Sequence, residues 1–381
     1  MKILIDARLY GLENTGLGRY AINLIKYLGQ IDHRNEYFIL LRRKYFDGLN
    51  LPKNWTKILT DFRHYSLSEQ FKLPGIIDKI NPDLTHFLHF NIPLFWKGKF
   101  VVTIHDMLMH KHTGLSATTL WPLLYGIKRV AYKKSFRQAV TKSSKILVPS
   151  NVVKREIAGY YKIDPAKITV TYEAADDRIL SETSFAKIQE KYKIDSDYFI
   201  YTGSAYPHKN LQSLVKAVIL LNKNVNRKMI LLISSSRDMF TQILQRLIHK
   251  LEAEECVKFL GFVPDDDLRS LFKNSKSFVF PSLSEGFGLP GLEAMEAGTI
   301  VLASDIPVFR EIYGKAAIYF NPYDFSSIEK AMRNAMSMDP KERSQMIESG
   351  KKFAKRYSWA TMARQTLKIY AEEGGVGLRQ G

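Results

Sequence analysis

Of the 381 residues only one, Cys256, is a cysteine. That excludes an intramolecular disulfide and a cysteine-rich zinc site, and so thiol-poor a chain fits a reducing compartment. Cys256 itself reads as a small buried apolar residue. Long apolar runs are missing as well: no uncharged stretch of about 18 residues occurs, so no membrane-spanning helix is expected. The opening Met1-Lys2-Ile3-Leu4-Ile5-Asp6-Ala7-Arg8 breaks its apolar run too early for the hydrophobic region of a signal peptide. The expectation is a cytoplasmic protein.

Acidic residues are scarce in one half only. Residues 1–172 hold 27 Lys and Arg against 12 Asp and Glu, a net +15 of the chain's +18, while the remainder holds 29 against 26, a net +3. Between residues 97 and 155 the single acid is Asp106, set against Lys97, Lys99, Lys111, Lys128, Arg129, Lys133, Lys134, Arg137, Lys142, Lys145, Lys154 and Arg155. Such a surface attracts polyanions: nucleic acid, anionic lipid headgroups or phosphorylated substrates. A plain solvated face is the competing reading. No aromatic RNA-binding motif, zinc motif or basic helix with heptads supports nucleic acid.

With 45% hydrophobic, 25% charged and 12% aromatic residues, the chain is neither disordered nor fibrous, and it is too long for one ordinary core. Short β-branched or aromatic runs recur along it: 2–7, 37–41, 100–105, 145–148, 168–172, 198–202, 229–234, 257–260, 277–281, 300–303 and 317–320. Several are almost wholly apolar, as strands covered on both faces must be. Amphipathic stretches at 19–28, 152–160, 211–221, 240–251 and 326–338 lie between them. Alternating βα units imply parallel sheets with right-handed crossovers, and two such sets imply two Rossmann-like domains with ligand in the cleft at the strands' C-terminal ends. The polar turn Glu173-Ala174-Ala175-Asp176-Asp177 and the change in charge balance put the boundary there. The expected domains are 1–175, 176–357 and a C-terminal segment 358–381, an amphipathic helix with a frayed glycine-rich tail.

Four places carry chemistry. Gly16 and Gly18 stand between the first strand and a helix expected near Gly18-Arg19-Tyr20, where backbone N–H groups and the helix dipole favour a phosphate. Asp6 and Arg8 at that strand's end either reach the cleft or pair with each other. In Thr103-Ile104-His105-Asp106-Met107 an apolar strand delivers His105 and Asp106 to its ligand-facing end; Asp106 either orients His105 or caps the next helix. In Tyr201-Thr202-Gly203-Ser204-Ala205-Tyr206-Pro207-His208-Lys209-Asn210-Leu211, Lys209 is expected in a first helical turn, where a cation opposes the dipole and a ligand gives the better reason for it.

The fourth, Glu285-Gly286-Phe287-Gly288-Leu289-Pro290-Gly291-Leu292-Glu293, follows an apolar strand. Pro290 suits the first helical position, which would put Glu293 in the first turn, stabilising its own helix or binding a ligand. Glu285, on a glycine-flanked loop, has no helix to stabilise. Two carboxylates seven residues apart, with loop amides between them, suit hydroxyls at both ends of a diphosphate.

These residues resemble the retaining, nucleotide-sugar-dependent glycosyltransferases of the GT-B type, family 4 in particular, which includes bacterial mannosyltransferases. The resemblance runs through the whole chain: Thr15-Gly16-Leu17-Gly18-Arg19-Tyr20 with Asn23-Leu24; Ile104-His105-Asp106; Val148-Pro149-Ser150 with Lys154 and Glu156; Pro207-His208-Lys209-Asn210-Leu211; Phe259-Leu260-Gly261-Phe262-Val263; Glu285 to Gly298; and Ser304-Asp305-Ile306-Pro307 with Glu311. It implies an α/β GT-B fold whose last helix, from about Trp359, crosses back to the N-terminal domain.

The resemblance also implies roles. Glu293 would hold the ribose hydroxyls and Glu285 those of the transferred sugar. Gly16, Phe287, Gly288 and Leu289 would offer backbone donors, with Gly18, Gly203 and His208 beside them in the donor site, and Lys209 would face the diphosphate. His105 would lie near the sugar 6-hydroxyl, and Phe262 and Val263 near the base. Where relatives carry an arginine, this chain has Ser204 or His208, so His208, Arg19 or another basic residue would share the neutralisation. The implied partners are a nucleotide sugar, GDP-mannose first and UDP-hexoses next, and a glycan or lipid-linked acceptor in cell-surface polysaccharide or lipopolysaccharide biosynthesis. No Asp-x-Asp metal-binding motif stands directly at the C-terminal, ligand-facing end of a strand run. No metal and no cofactor are expected, nor nucleic acid, but a peripheral membrane contact through the basic half is. There Trp121, Leu123, Leu124, Tyr125 and Ile127 are the expected inserting residues, beside Lys128, Arg129, Lys133, Lys134 and Arg137.

Overall fold

The computed structural model describes residues 1–62, 64–111, 122–175, 183–235 and 238–375, with the side chains of 122–124 and 127 excepted. Two compact units result. One gathers Met1–Met107, Leu120–Glu173 and Ser358–Gly381, the other Leu108–Thr119 and Ala174–Tyr357.

Among the described residues of the first unit, seven parallel strands form a sheet: β1 (Lys2–Asp6), β2 (Glu36–Leu41), β3 (Trp55–Leu59), β4 (Leu84–Phe87), β5 (Phe100–Thr103), β6 (Lys145–Val148) and β7 (Ile168–Val170), in the order β3-β2-β1-β4-β5-β6-β7. Helices link them, so both faces are covered, and Ile3, Leu4 and Ile5 of β1 are fully buried. Each such side chain contributes on the order of 1.5–3 kcal/mol by leaving water. The order turns back between β1 and β4, making a topological switch point at their C-terminal ends.

The second unit repeats the plan with β8 (Tyr198–Thr202), β9 (Ile230–Ser234), β10 (Val257–Gly261), β11 (Phe278–Phe280), β12 (Val301–Ser304) and β13 (Ala317–Phe320), ordered β10-β9-β8-β11-β12-β13. Its switch point lies between β8 and β11.

Two strands lack the run that marks the others. In β3, an edge strand, Lys57 interrupts the apolar pattern and reaches the carbonyls of Phe46 and Leu49. In β4 the interior residues are Thr85 and His86, both fully buried. A buried polar pair in a central strand conceals it from a hydrophobic pattern.

The helix Trp359–Gly374 belongs to the first unit. Ser358 caps it, its hydroxyl accepting from the Thr361 N–H at 3.4 Å. It packs on the helix Thr15–Ile31 through Trp359, Met362, Ala363, Thr366, Ile369 and Tyr370, all buried at helical spacing.

Three local expectations need correction. The first helix begins at Thr15, not near Gly18, which places both glycines inside its first turn. Lys209 closes a short 3-10 turn, Pro207–Lys209, and precedes the helix Leu211–Asn224, so it is outside that helix's first turn. Pro290 is the second residue of the helix Leu289–Glu296 and Glu293 the fifth, which removes Glu293 from the first turn and weakens the helix-stabilising reading.

Candidate functional site

In the second unit the sheet brings two loops together at the switch point. The loop after β8 supplies Lys209 and the loop after β11 supplies Glu285, and Lys209 Nζ donates to Glu285 Oε1 at 2.5 Å. The side chains are 16% and 10% exposed, so the pair is largely withdrawn from water yet still reachable. The Phe280 ring lies 5.6 Å from the ammonium. The Leu283 N–H also donates to the His208 carbonyl at 2.8 Å, tying the loops by backbone. Asn210 turns the chain in a left-handed conformation, φ 58°, and its Nδ2 donates to the carbonyls of Pro281 and Pro322.

Glu293 is buried on the helix that follows Glu285. At Gly288, φ is +103° and an added Cβ would collide with the Tyr313 hydroxyl, which donates to the Gly288 carbonyl. Only glycine fits there, and the turn directs the chain from Glu285 into the Glu293 helix. Phe287 and Leu289 on either side are buried. The Gly203 N–H is committed to the Ser234 carbonyl at 3.0 Å. His208 stacks on Tyr206, centroids 6.0 Å apart. Phe262, just past β10, exposes 74% of its surface, while Val263 is buried.

Two other carboxylates of this unit, Asp267 and Asp305, have structural duties. Asp267 accepts from Lys191 at 2.5 Å, Tyr192 at 2.8 Å and Thr183 at 2.8 Å. Asp305 takes both arms of Arg310 at 2.7 Å each. Among the described residues no cluster of three or more His, Cys, Asp or Glu is placed to hold a metal ion.

In the first unit His105 follows β5. Its Nδ1 lies 3.1 Å from Glu173 Oε1 and its Nε2 3.1 Å from the Leu88 carbonyl. These two partners, one on each ring nitrogen, fix the orientation of the ring. Glu173 is 4% exposed. It orients the ring through Nδ1. Gly16 is exposed with open space where a Cβ would be, whereas Gly18 is buried against the Gly11 carbonyl and is required by packing.

Asp6 and Arg8 pair with each other at 2.7 and 2.6 Å. Arg8 also donates to Glu69 at 2.7 Å, and Glu69 accepts from Asn91 at 2.6 Å and from the Tyr65 N–H at 2.7 Å. Burial alone would raise the Asp6 carboxyl, but Arg8 holds it below its ordinary value. Burial prevails at Glu69 and raises it. Burial, with Arg8 adding, pushes His64 down to about 4, and burial with neighbouring histidines pushes His89 well below its ordinary value. Sequence reasoning missed Glu173, whose His105 partner lies 68 residues away, and Glu69, whose Arg8 partner lies 61 residues away. No local signal marks Glu173, whereas Ser66-Leu67-Ser68-Glu69 is a capping-box pattern that marks Glu69 as part of a helix start.

The helix Pro122–Lys142 buries Tyr132, Phe136, Ala139 and Val140 and exposes Lys128, Lys133, Lys134 and Arg137. Trp121 and the side chains of Leu123, Leu124 and Ile127 lie outside the described residues. Among the described residues no helix is long and apolar enough to cross a membrane.

A family model described as Glycosyl transferases group 1 matches residues 184–353, and one described as Glycosyltransferase Family 4 matches 14–178. The chain is 28% identical over 346 residues to the O-antigen chain mannosyltransferase RfbU of Salmonella typhimurium, covering 87% of this chain and 90% of that protein. It is 26% identical over 389 residues to O-antigen chain mannosyltransferase B of Escherichia coli, covering 97% and 99%. Among solved structures, the sucrose-phosphate synthase of Thermosynechococcus elongatus superposes with a TM-score of 0.77 at 15% identity, over 98% of each chain.

Proposed function

Because the chain belongs to the glycosyl transferases group 1 and has the GT-B fold, we propose that it transfers mannose from GDP-mannose, with retention and without a metal, to a hydroxyl of a glycan or lipid-linked acceptor in cell-surface polysaccharide biosynthesis. The mannosyl donor follows the names of the relatives, which are O-antigen mannosyltransferases. The observation that carries the reading is the Lys209–Glu285 pair at the β8/β11 switch point, where open parallel sheets bind ligands.

Each side chain then has a task. Glu293 accepts from the ribose hydroxyls, Glu285 from the hydroxyls of the transferred sugar, and Phe262 offers its exposed ring beside the base. Lys209 turns from Glu285 to the diphosphate, whose negative charge grows as the bond to the anomeric carbon breaks. A fixed cation in a site shielded from water stabilises that charge more than it stabilises the bound donor, and this difference accelerates the reaction. His105, its ring held by Glu173 and the Leu88 carbonyl, stands near the sugar 6-hydroxyl. The departing phosphate accepts the proton of the acceptor hydroxyl, which attacks from the same face. The cations of Pro122–Lys142 support a peripheral contact with an anionic membrane on its cytoplasmic side.

Nucleotide release from a panel of GDP- and UDP-hexoses, with and without acceptor and in the presence of EDTA, tests the proposal. Acceptor-dependent GDP release from GDP-mannose is expected. Release indifferent to acceptor would point to a different nucleotide-sugar reaction, and loss in EDTA restored by a divalent ion would overturn the metal-free mechanism.

A further inference from the structure

The first unit contains a buried polar chain that the transfer reaction does not touch. Tyr370, on the C-terminal helix, sets its hydroxyl 2.5 Å from Nδ1 of His86 on β4. Nε2 of that ring lies 2.8 Å from the hydroxyl of Thr103, the last residue of β5. The Thr103 hydroxyl lies 3.0 Å from that of Tyr20 on the first helix. All four side chains are at most 1% exposed. Burial pushes His86 down to about 3, so its ring is neutral and has one donor and one acceptor. A phenol donates more readily than it accepts, which assigns the Tyr370 proton to Nδ1 and leaves the Nε2 proton for Thr103. Polar groups this deep are costly unless partnered, so removing one hydroxyl disturbs its neighbours along the chain.

The chain ends against His105. The rings of Tyr20 and His105 meet edge to face, 4.8 Å between centroids at 82°. Trp359, at the start of the C-terminal helix, is 6.4 Å from the same Tyr20 ring. With Glu173 on one nitrogen and the Leu88 carbonyl on the other, Tyr20 is a third support for His105. The C-terminal helix thus reaches Tyr20 twice: directly through Trp359, and through Tyr370, His86 and Thr103.

We propose that Tyr370, His86, Thr103 and Tyr20 form a positioning chain by which the C-terminal helix fixes the orientation of His105 for sugar transfer. This rests on the reading of His105 as a residue beside the transferred sugar. The four are positioning residues and touch no substrate.

Steady-state kinetics on the full chain test it, with kcat and the KM for donor and acceptor read from nucleotide release. Tyr370→Phe and Thr103→Val should each lower kcat by about tenfold, the scale expected for a catalytic group displaced by a fraction of an ångström, with donor KM within about twofold. The double variant should lose little more than the worse single one, because both break the same chain. Thr103→Ser, which keeps the hydroxyl, should restore the rate. Parental kcat in the folded Tyr370→Phe protein would overturn the proposal, as would a double loss equal to the product of the single losses. Tyr370→Phe deletes one oxygen from a packed ring, so it remains informative if Thr103→Val does not fold. His105→Ala separates the two claims: parental activity there removes His105 from the reaction, whereas loss there with fully active chain variants refutes the positioning chain alone.

Discussion

Glu285→Gln keeps the shape of the side chain and one acceptor oxygen but removes the charge that now sits 2.5 Å from Lys209. In the unliganded protein the ammonium loses a charge-assisted hydrogen bond worth roughly 1.5–3 kcal/mol. A fully exposed pair would be worth less than about 1 kcal/mol and a fully buried one, once broken, about 3–5 kcal/mol. With side chains 16% and 10% exposed, the intermediate figure applies. In a unit of this size each kcal/mol moves the melting temperature by about 2–4 °C, so the second unit should melt roughly 3–12 °C lower.

Binding should move the other way. Lys209 in the parent must leave Glu285 to meet the diphosphate; in the variant it is already uncompensated. GDP affinity measured by calorimetry should rise by about ten- to a hundredfold, with 1.4 kcal/mol for each tenfold. Turnover should fall by on the order of 10²-fold or more, since the contacts to the transferred sugar are weakened where they are needed. Equal GDP affinity and equal melting temperature in parent and variant would refute the coupling and, with it, the assignment of Lys209 to the diphosphate.

Four further outcomes are expected. Lys209→Ala should lower kcat by on the order of 10²-fold or more; a change confined to KM would reduce its role to ordinary binding. Glu293→Ala should weaken donor binding by at most about 1.5–3 kcal/mol for each ribose hydrogen bond lost, and an unchanged donor dissociation constant in the folded variant would remove Glu293 from the site. His86, at about 3 in the folded chain against about 6.5 unfolded, gives stability that is fully present above the unfolded value and lost as pH falls toward the folded one. At pH 5 the loss is about 2 kcal/mol, so the drop in melting temperature from pH 7.5 to 5 should shrink in His86→Gln; an identical drop would contradict the linkage. Anionic vesicles should bind the protein, neutral ones less, with release at high salt, each exposed cation contributing about 1 kcal/mol; indifference to both would favour a soluble acceptor.

The sequence is legible wherever one segment carries its own signal. Ile3-Leu4-Ile5 announces a strand buried on both faces, and the loop from Glu285 to Glu293 shows its carboxylates and glycines together. The signal fails where a residue's reason lies elsewhere in the chain. His86 helps to hide β4 because its polarity is satisfied by Thr103 and by Tyr370, 284 residues beyond it. Lys209 looks like a lone cation until the sheet brings Glu285, 76 residues on, to its side. Gly18 reads as a phosphate-loop glycine, yet its need is the Gly11 carbonyl packed against it. Helix starts slip for a related reason: Asn210 and Gly288 take left-handed conformations ahead of their helices, and this shifts Lys209 out of one first turn and Glu293 out of the other.

Proton NMR of a reaction containing GDP-mannose, acceptor and EDTA reports directly on donor, acceptor dependence, metal requirement and stereochemistry. The account predicts GDP and an α-mannoside forming in equal amounts, only when acceptor is present, and at less than about a hundredth of the rate with Lys209→Ala. A β-linked product, or consumption of GDP-mannose unaffected by loss of Lys209, would contradict it.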